Sequence, residues 1–128
     1  MRSNTTRAAI YVRISEDRDD QQLGVERQRQ DCLKLCADRG WDAIEPVYED
    51  NDISASKGKL RASYQRLLAD IRAGRVDAVV AFDQDRTTRT PMEFEQFALD
   101  VWQAGIPVLS TVVSGDIPLG PEIGRAHV

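Results

Sequence analysis

Two short stretches of this sequence carry side chains suited to handling a phosphate. Tyr11-Val12-Arg13-Ile14-Ser15 closes an alternating apolar segment. Residues two apart on an extended strand share a face, so Arg13 and Ser15 point the same way at its carboxyl end. Asp83-Gln84-Asp85-Arg86-Thr87-Thr88-Arg89 follows a second apolar run. Arg86 and Arg89, three apart, fall on one side of a helical turn. If both strand ends occupy one edge, a hydroxyl, an aspartate and the guanidinium groups of Arg13, Arg86 and Arg89 converge. That set suits phosphoryl transfer: the hydroxyl attacks, and the arginines offer planar, paired donors to phosphate oxygens as negative charge builds. A fixed cationic cluster can take the place of a metal ion in this role. Serine is a weak nucleophile, so a neighbour must accept its proton. No histidine is near in sequence, which leaves the arginine-rich surroundings or a carboxylate.

The elements that position these groups follow from hydrophobic periodicity. Arg7–Ile14 alternates as a strand, with Ala8, Ile10, Val12 and Ile14 on one face and Ala9, Tyr11 and Arg13 on the other. The polar stretch Ser15–Gln22 is too hydrophilic for core. Helical spacing begins near Leu23, continues through Val25, Cys32, Leu35 and Cys36, and stops at Arg39-Gly40. Ala43–Tyr48 reads as a short second strand, with Pro46 favouring an edge or an early break. Glu49–Leu60 reads as a mobile loop. Arg61–Ala73 places Tyr64, Leu67, Leu68 and Ile71 at helical spacing before Gly74. Asp77–Phe82 is nearly all apolar, as in a strand buried on both faces. Thr90-Pro91-Met92-Glu93 is a helix start with a threonine cap, Pro at the first position and a capping-box glutamate. That helix turns Phe94, Phe97, Ala98, Val101 and Trp102 inward and ends at Gly105, and Ile106–Val113 forms a fourth strand. The alternation predicts a single three-layer α/β domain with a mainly parallel central sheet of about four or more strands. Ligands of such folds gather at the carboxyl ends of the strands, where Ser15 and Asp83–Arg89 fall.

Composition sets the remaining bounds. At 128 residues, 41% hydrophobic and 30% charged, the chain fits one globular domain. No apolar run approaches the ~20 residues of a membrane span. The N-terminus lacks a signal-like stretch, so a cytoplasmic location without membrane attachment is expected. The net charge of −4 is unusual for a protein that holds DNA unaided, yet a local cluster of arginines can bind phosphate on an acidic domain. Cys32 and Cys36 share a helix face among apolar residues and read as buried small hydrophobes; no second pair completes a metal site.

Five segments, "YVRIS", "VERQRQDC", "YEDNDISAS", "KLRASYQRLL" and "VVAFDQDRTTR", together with the later "GDI", resemble in order and spacing the serine site-specific recombinases, which include resolvases, invertases and large phage-type integrases. They span about Arg7 to Asp116, and the long stretches around Ser15–Gln22 and before Arg61 are most similar to the large-integrase branch. The resemblance implies a resolvase-like catalytic domain in which Ser15 attacks a DNA phosphodiester and becomes joined to the 5′ phosphate. It places Arg13, Arg61, Arg86 and Arg89 at the family's active-site arginines, Asp85 at the aspartate that orients them and assists proton transfer, and Gln28 as a further member of the pocket. It implies no cofactor, neither ATP nor a divalent metal. The implied partners are double-stranded DNA attachment sites and further copies of the protein, from dimer to synaptic tetramer.

Taken singly, these residues have ordinary readings. Ser15 could close a turn, Arg61 could open a helix at the surface, Arg86 and Arg89 could be solvated charge, and Gln28 could sit on an exposed helix face. The joint pattern selects the chemical reading, while Asp83 reads better as a cap for the next helix or turn. A rival enzyme reading takes "VVAFDQDRTT" as the Asp-x-Asp-x-Thr motif of Mg²⁺-dependent haloacid-dehalogenase-like phosphatases, with Asp83 as nucleophile and Asp85 as acid/base. The downstream lysine and acidic pair which that family needs are absent: Lys34, Lys57 and Lys59 all precede the motif. A second rival is a recombinase-like module that dimerises without cutting. The expected organisation is a catalytic domain over residues 1–121, cut before a dimerisation helix and DNA-binding domains and inactive by itself. Residues 122–128 (EIGRAHV) are expected to be a non-native tail, since they back-translate into a common sequencing adapter.

Overall fold

The computed structural model describes residues 5–14, 19–51, 62–83 and 91–120, with backbone alone for residues 14, 19–23, 25 and 51. Strand β1 (Arg7–Ile14) is followed by helix α1 (Asp19–Asp38), strands β2 (Asp42–Ala43) and β3 (Tyr48–Asn51), and helix α2 (Ala62–Arg72). Strand β4 (Ala78–Ala81), helix α3 (Pro91–Ala104) and strands β5 (Val108–Thr111) and β6 (Gly115–Pro118) complete the order. The sheet runs β2-β1-β4-β5-β6, with β3 also on β1. All pairings are parallel except β5 with β6. This is the expected mainly parallel sheet.

The alternation of β1 divides the core into two layers. Ala9 and Tyr11 join Tyr64, Leu67, Phe97 and Val101 beneath α2 and α3. Ala8, Ile10 and Val12 join Cys32 and Cys36 beneath α1. Helices therefore cover both faces of the sheet, giving three layers. The aromatic rings of Tyr11, Tyr64, Phe94 and Phe97 pack with centroids 5.6–6.5 Å apart, at the spacing that favours edge and offset contacts. The helix stops at Gly40 and Gly74 are left-handed, with φ of 72° and 80°, a conformation that glycine adopts without Cβ strain.

Several boundaries differ from the periodicity. Helix α1 begins at Asp19 rather than near Leu23: acidic residues suit the positive end of a helix dipole, a preference that an apolar period does not register. The strand expected over Ala43–Tyr48 is two strands. Asp42–Ala43 pairs with the start of β1 and Tyr48–Asn51 with its end, on either side of Pro46, which has no N–H to give a ladder. Consequently Glu49, Asp50 and Asn51, expected in a loop, are strand residues. The fourth strand ends at Thr111, and Val112 and Val113 enter the turn to β6, an antiparallel edge that periodicity did not reveal. Trp102 does not face inward. It is 42% exposed, because the inward line of α3 runs through Phe94, Phe97, Ala98 and Val101, and the next residue rotates off it. Its indole instead lies against Gly120.

Cys32 and Cys36 are buried free thiols, as the apolar reading of their helix face required. Burial, followed by the adjacent Cys36 and Asp31, pushes the Cys32 thiol up to about 12, and burial raises Cys36 as well. Both stay protonated near neutrality and are poor nucleophiles. A disulfide-exchange reagent at about pH 8 is expected to leave both unmodified in the folded chain and to titrate both in denaturant. Rapid labelling without denaturant would contradict the packing. Because the folded thiol titrates above its ordinary 9.0, its contribution to stability is complete below that value and is lost as pH rises toward about 12.

Candidate active site

In a parallel sheet with return helices, strand ends and helix starts meet at one edge. The carboxyl ends of β1, β3, β4 and β5 and the starts of α2 and α3 share that edge here. Ile14 precedes Ser15, Ala62 follows Arg61, and Asp83 and Pro91 flank residues 84–90. Each of these four neighbours stands at the carboxyl edge. Ser15, Arg61, Asp85, Arg86 and Arg89 themselves, with the expected cap Thr90, lie outside the described residues. Among the sequence-predicted site residues, Arg13 and Gln28 are described.

Arg13 is 6% exposed, next to last in β1 and on the side of the sheet that α2 and α3 cover. Arginine is rarely buried to this degree unless it is paired. Its Nη1 lies 3.8 Å from Oε1 of Glu93 in the first turn of α3, an ion pair too long to be a hydrogen bond. A guanidinium in this setting is little screened by water, and it acts on nearby charge more strongly than a surface arginine would.

Opposite Arg13 in the β1–β3 register stands Asp50, 7% exposed. Its Oδ2 accepts the Tyr11 hydroxyl at 2.7 Å and the Tyr64 N–H at 3.0 Å, and its Oδ1 accepts the Ser63 N–H at 2.9 Å. The Ser63 hydroxyl donates to the Glu49 carbonyl at 2.7 Å. Asp50 therefore caps α2 from a different element. It satisfies two N–H groups that a helix start leaves unpaired and brings a negative charge to the positive end of the helix. The helix so fixed begins next to Arg61. Sequence reasoning missed Asp50 by placing it in a loop; the available signal was the strand parity that sets it on the buried side with Tyr48.

Gln28 lies on the other layer. It continues the α1 stripe of Cys32 and Cys36, is 7% exposed rather than on a solvent face, and its Oε1 finds no hydrogen-bond donor among the described residues. Arg13 and Gln28 thus approach the sheet from opposite faces. An unpaired buried acceptor costs about 1–3 kcal/mol, so this carbonyl is suited to take a donor. The next residue, Arg29, pairs with Glu26 and donates to Glu49 Oε1 at 2.6 Å, tying α1 to β3.

Asp83, expected to cap the next helix or turn, accepts the Ser114 hydroxyl at 3.1 Å from the β5–β6 turn. Among the described residues no group of three or more His, Cys, Asp or Glu could hold a metal ion, and no helix is long and apolar enough to cross a membrane.

A three-layer domain with a mainly parallel sheet, and with the buried Arg13 near the carboxyl end of its first strand, defines a class: α/β proteins of parallel type. Within that class, the family model for the resolvase N-terminal domain matches residues 8–126, and the chain belongs to that family. The fold is similar to the N-terminal catalytic domain of TP901-1 integrase, at TM-score 0.66 and 21% identity over 87% of this chain and 81% of that one. It is similar to a resolvase family site-specific recombinase from Streptococcus pneumoniae, at TM-score 0.71 and 20% identity over 87% and 74%. It also resembles the C-terminal catalytic domain of ISC1926 TnpA, an IS607-like serine recombinase, at TM-score 0.63 and 25% identity over 84% and 68%. Asp85 and Thr87 of the phosphatase-like Asp-x-Asp-x-Thr lie outside the described residues.

Proposed function

We propose that this resolvase-family domain cuts and rejoins double-stranded DNA through Ser15. In this reading the Ser15 hydroxyl attacks a backbone phosphorus, the phosphorus–O3′ bond breaks, and a 5′-phosphoserine ester and a free 3′ hydroxyl result. The proton lost by serine passes to a neighbouring base, and the departing 3′ oxygen takes one up. Arg13, Arg61, Arg86 and Arg89 hold the non-bridging phosphate oxygens, where charge increases in the transition state. Asp85 orients the arginines, and Gln28 supplies an acceptor from the α1 side. The ester keeps the energy of the broken bond, so rejoining is the reverse attack by a 3′ hydroxyl, with DNA sites brought together by dimers that pair into a tetramer.

The observation that carries this reading is the buried guanidinium of Arg13 at the carboxyl edge, two residues before Ser15. Beside its Glu93 ion pair, this guanidinium offers paired donors of the geometry that matches phosphate oxygens. The test is a trapping assay with the full gene product and DNA carrying its sites, in EDTA. The expected result is a covalent protein–DNA adduct that Ser15→Ala abolishes while DNA binding persists. Adduct formation by Ser15→Ala at the wild-type rate would overturn the proposal.

A further inference from the structure

The end of β4 is held from the side by the turn that joins β5 to β6. The N–H groups of Val112 and Val113 both donate to the Phe82 carbonyl, at 3.1 Å each, and the Val112 N–H also lies 3.2 Å from the Ala81 carbonyl. The turn is itself braced: the Ser114 N–H donates to Thr111 Oγ1 at 2.9 Å, and that hydroxyl donates to the Gly115 carbonyl at 2.7 Å. Thr111 is buried, so this brace is shielded from competing water. From the braced turn the Ser114 hydroxyl reaches Asp83 Oδ1 at 3.1 Å. The main chain is thus held at the end of β4, and the solvent-exposed Ser114–Asp83 bond adds a side-chain tie at the last described position before residues 84–90.

We propose that Ser114 and Asp83 are positioning residues for the phosphate-holding arginines, forming a clamp that sets the direction in which the chain leaves β4 toward Asp85, Arg86 and Arg89. The inference rests on the reading of Ser15 chemistry given above and adds to it a part played by the β5–β6 turn. Asp83 is two residues from Asp85 and three from Arg86. At about 3.3–3.6 Å per residue, a change of direction at Asp83 moves those groups by an ångström or more. Displacement of about 1 Å in a reacting geometry costs on the order of 100-fold in rate. The clamp acts through hydrogen-bond geometry and not through charge on the phosphate, so affinity for DNA does not depend on it.

The test measures the rate of covalent adduct formation by the full gene product at saturating DNA, the DNA concentration giving half that rate, and the thermal midpoint. Ser114→Ala is expected to lower the saturated rate by about 10-fold to 100-fold, leaving the half-saturating concentration and the thermal midpoint near wild type. Ser114→Thr keeps the hydroxyl and restores the rate. Asp83→Ala combined with Ser114→Ala loses no more than Asp83→Ala alone, because the Ser114 bond is already absent there. A wild-type saturated rate in Ser114→Ala overturns the clamp, as does a loss that Ser114→Thr fails to restore. Ser15→Ala runs alongside: an adduct in that variant sinks the Ser15 reading itself, whereas its absence beside a fully active Ser114→Ala sinks the clamp alone.

Discussion

Replacing Arg13 with alanine is expected to slow covalent cleavage of DNA by about 100-fold to 1,000-fold, the loss typical of deleting one preorganised donor to a developing negative charge. The size follows from placement. A guanidinium 6% exposed at the carboxyl end of β1 works in a medium far less polarisable than water, and its desolvation has already been met by folding. Arg13→Lys separates charge from shape: an ammonium keeps the charge and loses the planar fork, so its rate should fall between wild type and alanine. Glu93→Gln removes the described ion-pair partner. Since Glu93 is part-exposed and 3.8 Å away, this change should alter the rate far less than Arg13→Ala. Single-turnover rates at saturating DNA make the comparison, with thermal midpoints taken in parallel. Cleavage by Arg13→Ala at the wild-type rate would remove Arg13 from the site.

Loss of Asp50 should be the largest single cost to stability among the described polar residues. Asp50→Ala uncaps α2, at about 0.5–2 kcal/mol. It also leaves the buried Tyr11 hydroxyl without its acceptor, at about 1–3 kcal/mol. Together these give about 1.5–5 kcal/mol, which for a domain of this size lowers the thermal midpoint by about 5–20 °C. Tyr11→Phe removes only the hydroxyl bond, so its fall should be the smaller. Asp50→Asn keeps one acceptor oxygen and should lie between. Thermal unfolding followed by circular dichroism reads the series. A midpoint for Asp50→Ala equal to wild type would show that the cap carries no weight.

The contrast between Arg13 and Asp50 shows what the sequence could disclose. The placement of Arg13 was legible because it lies near the end of an alternating run of mostly apolar residues: parity alone sets it on the same face as Tyr11. The helices were legible for the same reason, and the four buried positions of α2 are the four that spacing selected. Asp50 was not legible, because Pro46 interrupts the pattern and the three-residue continuation Glu49-Asp50-Asn51 is too polar to register as strand. What makes it a strand is pairing with β1, a contact far away in sequence. Likewise Trp102 passes for core by composition, yet one residue of rotation past Val101 moves it to the rim. The start of α1 at Asp19 falls in a polar stretch where acidic residues suit a helix N-terminus, so a hydrophobic period cannot find it. The Ser114–Asp83 bond joins residues 31 apart, between a turn and a strand end that no local pattern relates.

The most direct test of the central claim is to identify the atom that holds the DNA. Site DNA carrying a nick that lets the cleaved end escape would be incubated in EDTA with the full gene product. The adduct would then be digested with nuclease and protease, and the modified peptide sequenced by mass spectrometry. The account predicts a phosphonucleotide on the hydroxyl of Ser15, attached through the 5′ phosphate, with a free 3′ hydroxyl on the released strand. A 3′-phosphate linkage, a modified residue other than Ser15, or cleavage that requires Mg²⁺ and yields no protein-bound DNA would contradict it.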